Sequence, residues 1–396
     1  MMPPNDPEKM PRQNNLKLII FYRVRSISSF IARFSSGQQK TKMTSFMLKI
    51  ISVKQRWPWR QEACPTAVFF KGRSHMRAVY YDRFGPADVL QLGERPMPEP
   101  GPGQVLIKVA ATSVNPIDRR LRAGELQAFF QRTFPIIPGW DVAGKIVKLG
   151  SGVSDWKVGD AVAGLAFTWS LHHGGYAEYI PVDATAIARK PEALSYTETA
   201  ALPLVALTAW QALTENAGVK FGQSVFVQAG AGGLGSASIA LAKHLGAKVY
   251  TTTRENNFAY VKARGADQPI DYTAENYVHA IKKFEPEGVD TVLELLSDFH
   301  HLQNAVRVCK TGGAVVYMNN EPPEMPDIEK RAIRAEWIHH RPDGRMLGPL
   351  LELFAGGSVK LPEITVLPLA EAVQAHILSE SGRTRGKIVL EVQKLE

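Results

Sequence analysis

The run Gly230-Ala231-Gly232-Gly233-Leu234-Gly235 satisfies the pattern G-x-G-x-x-G. It follows the apolar stretch VFVQA and opens LGSASIALAKHL, whose apolar residues recur at helical spacing. A strand-to-helix turn of this kind presents unpaired N–H groups and the positive end of a helix to a pyrophosphate. The same residues without a ligand would be a plain glycine-rich turn. The strand before it, the helix after it and a second strand ending about 20 residues on favour a dinucleotide. That second strand ends in Thr251-Thr252-Thr253-Arg254. Units that bind NAD place an Asp or Glu at this point to hold the ribose hydroxyls. A carboxylate there would repel a 2′-phosphate, whereas hydroxyls and a guanidinium bind one. NADPH is therefore expected over NADH, with Thr253 and Arg254 as its contacts. The plainer alternative is that Arg254 only solvates a loop.

Metal chemistry finds little support. The histidines include the adjacent pairs His172/His173, His300/His301 and His339/His340. Neighbours on a strand face opposite sides, so such pairs chelate poorly. There is no Cys-x-x-Cys and no His-Glu-x-x-His, and the two cysteines, Cys64 and Cys309, are far apart. The histidines read as surface or structural, Cys309 as packing, and no metal site is expected. A reducing compartment follows from the cysteine usage.

The elements that must carry the turn fall into two patterns. From Met76 to about Leu202 short strands alternate with Pro/Gly turns, as in MPEPGPGQ and QVLIKVAATSVN, which implies a rolled antiparallel β unit. From about Leu204 strands alternate with helices, which implies βαβ units and a parallel sheet. Past Gly348, the segments EITVLPL and GKIVLEV return to strand character and plausibly rejoin the first unit. The formal charge of +9 is uneven: residues 1–75 hold 14 Lys/Arg against Asp6, Glu8 and Glu62. The body is thus close to neutral, and no nucleic-acid partner is expected. No apolar run is long enough for a membrane span. The Arg- and Ser-rich residues 1–75 suit either a transit peptide or an extension ahead of a working start at Met76. The location is then mitochondrial or otherwise organellar in the first case and cytoplasmic in the second.

Several segments, in order, are similar to the medium-chain dehydrogenase/reductase superfamily, in its zinc-free quinone oxidoreductase (zeta-crystallin-like) branch. They are GPADVLQLGERPMPEPGPGQVLIKVAATSVNPID, PIIPGWDVAGKIVKLGSGVSDWKVGDAVAGL, GGYAEYIPV, AALPLVALTAWQAL, AGAGGLGSASIALAKHLGAKV and SGRTRGKIVLEV. The resemblance implies an α/β chain: a Rossmann doubly wound parallel sheet at 207–342, and a GroES-like, mostly antiparallel β catalytic domain at 76–206 and 343–396. It places Asn115 by the nicotinamide, as the catalytic residue, and Thr208 near the cofactor. Tyr272 would flank the adenosine end. In zinc-dependent relatives a cysteine ligand lies where Asn115 stands and a histidine where Trp140 stands. A lysine that some members use for the 2′-phosphate would fall at Asn257, which puts weight on Arg254. Read from the residues alone, Asn115 also suits a turn before Pro116, Thr208 a plain helix position and Tyr272 a strand end. The aromatics Phe129, Phe130, Phe134, Trp140, Phe167 and Trp169 suit either a core or the wall of a flat apolar crevice.

The leading expectation is NADPH-dependent hydride transfer to a quinone or an α,β-unsaturated carbonyl without zinc. Two alternatives stay open: an NADP-dependent alcohol or aldehyde dehydrogenase, and a low-turnover NADPH-binding protein. The resemblance also implies a homodimer, with AEWIHH near a sheet edge as its seam.

Overall fold

A computed structural model describes residues 75–296 and 298–395. The basic extension assigned to residues 1–75 lies, apart from His75, outside the described residues.

The first strands are β1 (His75–Tyr80) and β2 (Gln91–Pro96), an antiparallel pair. They are followed by β3 (Gln104–Val114), β4 (Gln131–Arg132), β5 (Asp141–Leu149), β6 (Ala161–Leu165), β7 (Ser170–Leu171), β8 (Tyr179–Asp183) and β9 (Ile187–Arg189). Helix α1 (Pro116–Ala123) interrupts this series, and α2 (Tyr196–Ala200) and α3 (Pro203–Gln211) end it. Next comes the alternation β10 (Ser224–Val227), α4 (Gly233–His244), β11 (Lys248–Thr253), α5 (Phe258–Lys262), β12 (Gln268–Asp271) and α6 (Tyr277–Phe284). It continues with β13 (Val289–Glu294), α7 (Phe299–Val308), β14 (Cys309–Tyr317), α8 (Pro326–Lys330) and β15 (Arg334–Trp337). The chain closes with α9 (Gly344–Ala355), β16 (Ile364–Pro368), α10 (Ala372–Glu380) and β17 (Lys387–Glu391).

Strands β10 to β15 form one parallel sheet in the order β12-β11-β10-β13-β14-β15. Every residue of β10 is buried, as expected for a strand covered on both faces. The order reverses between β10 and β13, and ligands of such sheets bind at the carboxyl ends beside that reversal. The other large sheet runs β16-β17-β3-β5-β6-β9, with β8 also on β3. It is antiparallel except where β16 meets β17. The α/β class, with a Rossmann-type sheet beside a mostly antiparallel β unit, is as the sequence implied.

A buried apolar cluster from Met76 to Val392 runs through both sheets without a break. A second cluster, including Phe226, Tyr277, Leu302 and Tyr317, fills the space between the parallel sheet and α6 and α7. Between the sheets there is also a main-chain link. Gly386 donates its N–H to Ala231 O at 2.9 Å and bridges to Gly232. Its φ of 70° and a Cβ site 1.9 Å from Glu363 O leave no room for a side chain. The glycine turn of one sheet is thereby tied to the last strand of the other.

Candidate active site

The turn between β10 and α4 is built to leave one side open. Ala229 enters it in a left-handed conformation, φ 49°, with its N–H held by Thr252 Oγ1 at 3.2 Å. A Cβ on Gly235 would lie 2.3 Å from Ala229 O, so that glycine serves close packing of helix on strand. Gly232 differs: the nearest atom to its Cβ site is Ala229 O at 3.5 Å, so protein packing does not require glycine there. The space it leaves faces the first turn of α4, where the N–H groups of Gly233, Leu234 and Gly235 have no carbonyl of their own helix to pair with. An anion fits this cradle.

At the end of β11 two of the three threonine hydroxyls are spoken for. Thr251 Oγ1 donates to Val227 O at 2.7 Å, and Thr252 Oγ1 accepts from Ala229. Thr253 is buried at the carboxyl end of the strand, with Arg254 following on the surface. Arg254 Nε meets Tyr272 Oη at 3.3 Å, so two residues proposed for the adenosine end come together, and Tyr272 is 49% exposed. Asp271, which the sequence reading passed over, lies between them in the chain fold. Its carboxylate accepts from Thr273 Oγ1, Thr273 N and Glu255 N, which hold it below the usual carboxylate range, with Arg254 adding a smaller pull.

Asn115 is buried at the start of α1. Its Nδ2 donates to Asp141 Oδ2 at 2.8 Å, and its Oδ1 accepts from Lys387 Nζ at 2.5 Å. Asp141 also accepts from Ser113 Oγ at 2.5 Å, from Leu204 N at 2.6 Å and from Lys387 Nζ at 3.4 Å. Burial pushes the Lys387 ammonium below the ordinary lysine value, while Asp141 and Asp118 pull it back. Asp118 reaches back to Asn115 N at 2.8 Å, and its own burial raises its carboxyl to about 7. The Lys387 stem passes close to Gly233, with Cδ 2.5 Å from that glycine's Cβ site. Nothing in the segment GKIVLEV marks Lys387 as part of this group; its partners lie far away in sequence. Behind them, Tyr176 Oη meets His376 Nε2 at 3.2 Å, and His376 Nδ1 faces Arg122 Nη1 at 3.0 Å. Burial first, and the Arg122 charge second, lower His376 to about 3.

Several buried polar atoms lack partners, two of them in segments that leave the carboxyl ends of strands of the parallel sheet. Among the described residues, Thr208 Oγ1 on α3, Asn320 Nδ2 beyond β14 and His340 Nε2 beyond β15 are buried and unpaired. A dinucleotide laid across these strand ends would meet Thr208 and Asn320. The orphaned atoms and the open cradle at Gly232 together fit a nicotinamide cofactor.

The aromatic residues sort themselves. Phe134 packs on Phe84 and Tyr81, at 5.2 and 6.1 Å between ring centres, away from the others. Trp140, Phe130, Phe167 and Trp169 form one continuous group. Cys309 is buried in the second apolar cluster, and burial pushes its thiol up to about 12, which removes it as a nucleophile.

Three comparisons bear on this arrangement. Residues 101–192 match the family model for the alcohol dehydrogenase GroES-like domain, and residues 264–390 the model for zinc-binding dehydrogenase. The chain is 36% identical to a 2-methylene-furan-3-one reductase of Solanum lycopersicum, over 83% of this chain and 82% of that one. It is 38% identical to a chloroplastic NADPH-dependent alkenal/one oxidoreductase of Arabidopsis thaliana, over 80% and 79%. Among solved structures, the quinone oxidoreductase from Coxiella burnetii superposes with a TM-score of 0.72 at 36% identity, covering 81% of this chain and all (100%) of that one. The zinc in the second family model's description does not suit the residues here. Both polar atoms of the Asn115 amide are committed to Asp141 and Lys387, and Trp140 offers an indole in place of a ligand. No group of three or more His, Cys, Asp and Glu among the described residues is placed to hold a metal.

Glu294 gives this region a pH signature. It ends β13 fully buried; Oε1 accepts from Leu296 N at 2.8 Å, while Oε2 is unpaired among the described residues. Burial pushes its carboxyl from 4.5 up to about 8, so the fold holds it neutral. Stability gained from this group is complete below the unfolded value and is lost as pH rises through about 8. Urea unfolding of Glu294→Gln and the native chain should therefore diverge with rising pH, in favour of the variant. Parallel stability curves would contradict the assignment.

Proposed function

Since the chain belongs to the medium-chain dehydrogenase/reductase superfamily, in its zinc-free quinone oxidoreductase branch, we infer that it is an oxidoreductase acting on a quinone or an α,β-unsaturated carbonyl. The observation that carries the cofactor half of this reading is the Gly232 cradle at the head of α4, open in a turn that is otherwise closely packed. We read the cofactor as NADPH. Its pyrophosphate would lie on Gly230, Gly232, Gly233, Leu234 and Gly235, and its 2′-phosphate against Thr253 and Arg254, with Tyr272 beside the adenosine. Thr208 would meet the nicotinamide half. When bound, the reduced nicotinamide supplies a hydride.

The chain's own residues orient and enclose. In our division, a GroES-like catalytic unit of 76–206 and 343–396 provides the acceptor wall, and a cofactor unit of 207–342 provides the dinucleotide seat. Trp140, Phe130 and Phe167, their ring planes inclined at 43°, 75° and 81° to one another, offer an apolar wall for a conjugated acceptor. Asn115 stands between the two as the residue we assign to catalysis, with Lys387 holding its carbonyl oxygen. The tight hold of Asp141 on its amide makes Asn115 a rigid element of the crevice. An alcohol dehydrogenase reading lacks a Lewis acid for the alkoxide, since the ligand positions hold Asn115 and Trp140.

The edge strand β15, with main-chain groups open on one side, supports a homodimer through paired sheet edges. A sedimentation mass of two chains is expected, and a mass of one would oppose it. The chloroplastic relative and the basic extension together support an organellar location.

The activity is tested by NADPH oxidation with menadione, benzylideneacetone and a simple aldehyde. Turnover with the first two supports the reading, whereas turnover with the aldehyde alone replaces it. Cofactor choice is tested by titration: Arg254→Ala should weaken NADPH about 10- to 100-fold, the worth of a charge-assisted bond, and leave NADH unchanged. Equal weakening of both would remove Arg254 from the 2′-phosphate.

A further inference from the structure

We propose that His340 is a catalytic hydrogen-bond donor, its Nε2–H pairing with the carbonyl oxygen of the acceptor as negative charge develops there. The proposal rests on the acceptor class inferred above.

A series of aromatic rings runs from exposed Trp169 to the His340 imidazole. At its outer end Trp169 is 63% exposed, unusual for a side chain of that size. Trp169 stacks on Phe130 with ring centres 5.3 Å apart and planes at 28°, and meets Phe167 edge-on at 5.1 Å. Phe167 meets Trp140 at 4.8 Å. At the inner end both rings face His340, at 6.0 and 6.4 Å. The series is apolar throughout, and at its foot lies a buried nitrogen with no partner among the described residues. Burying such an unpaired group is unfavourable, and a ligand oxygen would remove that cost.

The main chain beside the ring is fixed in place. Its chain neighbour Arg341 is gripped by Gln211, a buried residue of α3. The Gln211 side chain donates to Arg341 O at 3.0 Å and accepts from Arg341 N at 3.1 Å. A donor held rigidly in an apolar recess stabilises developing charge without having to reorganise. Burial, and the neighbouring His339, hold His340 below the ordinary histidine value, with Asp141 opposing weakly, so the ring is neutral near pH 7. A neutral imidazole is too weak an acid to give up its proton, so it acts by hydrogen bonding.

The bookkeeping is simple. Hydride adds to the β-carbon of an enone, the alkene pair moves toward oxygen, and an enolate forms. His340 Nε2–H holds that oxygen, and water then protonates the α-carbon. The net change is one hydride and one proton added across the double bond. A quinone presents the same kind of oxygen.

The decisive comparison is His340→Phe, which keeps a flat ring, against His340→Gln, whose amide N–H takes the place of Nε2–H. In cofactor-free protein, the carbonyl stretch of bound benzylideneacetone should be lowered in the native chain and in the Gln variant, and not in the Phe variant. With NADPH, the Phe variant should lose about 100-fold in kcat/KM, chiefly in kcat, as expected for removing one oxyanion donor. The Gln variant should recover most of that, and NADPH affinity should stay constant throughout. A Phe variant with native kcat/KM and a native stretch would overturn the proposal, as would a Phe variant that loses only NADPH affinity. If the native chain reduces neither menadione nor benzylideneacetone, the inferred activity fails, and the donor still stands or falls on the stretch.

Discussion

The carboxylate of Asp141 is the point on which the arrangement turns. It is fully buried and accepts from Ser113 on β3, Asn115 at the head of α1, Leu204 at the head of α3 and Lys387 on β17. An isolated charge in such a place would be prohibitive, and even a paired one seldom adds stability over an apolar replacement. What it provides is register. One side chain specifies where two helices begin and where two strands lie, and the hydrogen bonds it accepts leave little freedom in any of them. Lys387 extends the constraint. Its stem lies against Gly233, while the residue before it pairs with the main chain of the glycine turn.

On the proposed function, the consequence for chemistry is that the dinucleotide seat and the acceptor wall do not float relative to each other. Hydride transfer is sensitive to the approach of donor and acceptor, and rigid placement supplies much of the barrier reduction open to an enzyme without a metal. Asn115, where the resemblance would put a ligand of zinc-dependent relatives, is here a member of the buried group. Trp140, at the other such position, is a member of the aromatic wall.

Much of this was legible in the sequence. The glycine run, the shift from strand-and-turn to strand-and-helix near Leu204 and the missing acid after β11 all depend on local pattern, which the chain states openly. The α/β class and the order of elements followed from them. The terminal strand could be read as a strand, but not as the carrier of Lys387, because Asn115 lies 272 residues earlier. Likewise the Thr251 and Thr252 hydroxyls looked available for a 2′-phosphate, yet the fold spends both on its own main chain. His340 was grouped with the other paired histidines as surface or structural. Only the packing of Trp140 and Phe167 around it, and the lack of a partner for Nε2, set it apart. Burial and partnership at long range are properties of the folded chain, and residue type alone does not carry them.

Amide hydrogen exchange tests most directly the central claim, that Asp141 acts through Lys387 to hold the last strand against the glycine turn. In the native chain, adding NADPH should slow exchange at the glycine turn and, together with it, along β17 and at the Leu204 amide. In Asp141→Asn the slowing should be confined to the turn. Identical patterns in the two proteins, or no change at the turn on adding NADPH, would contradict the account.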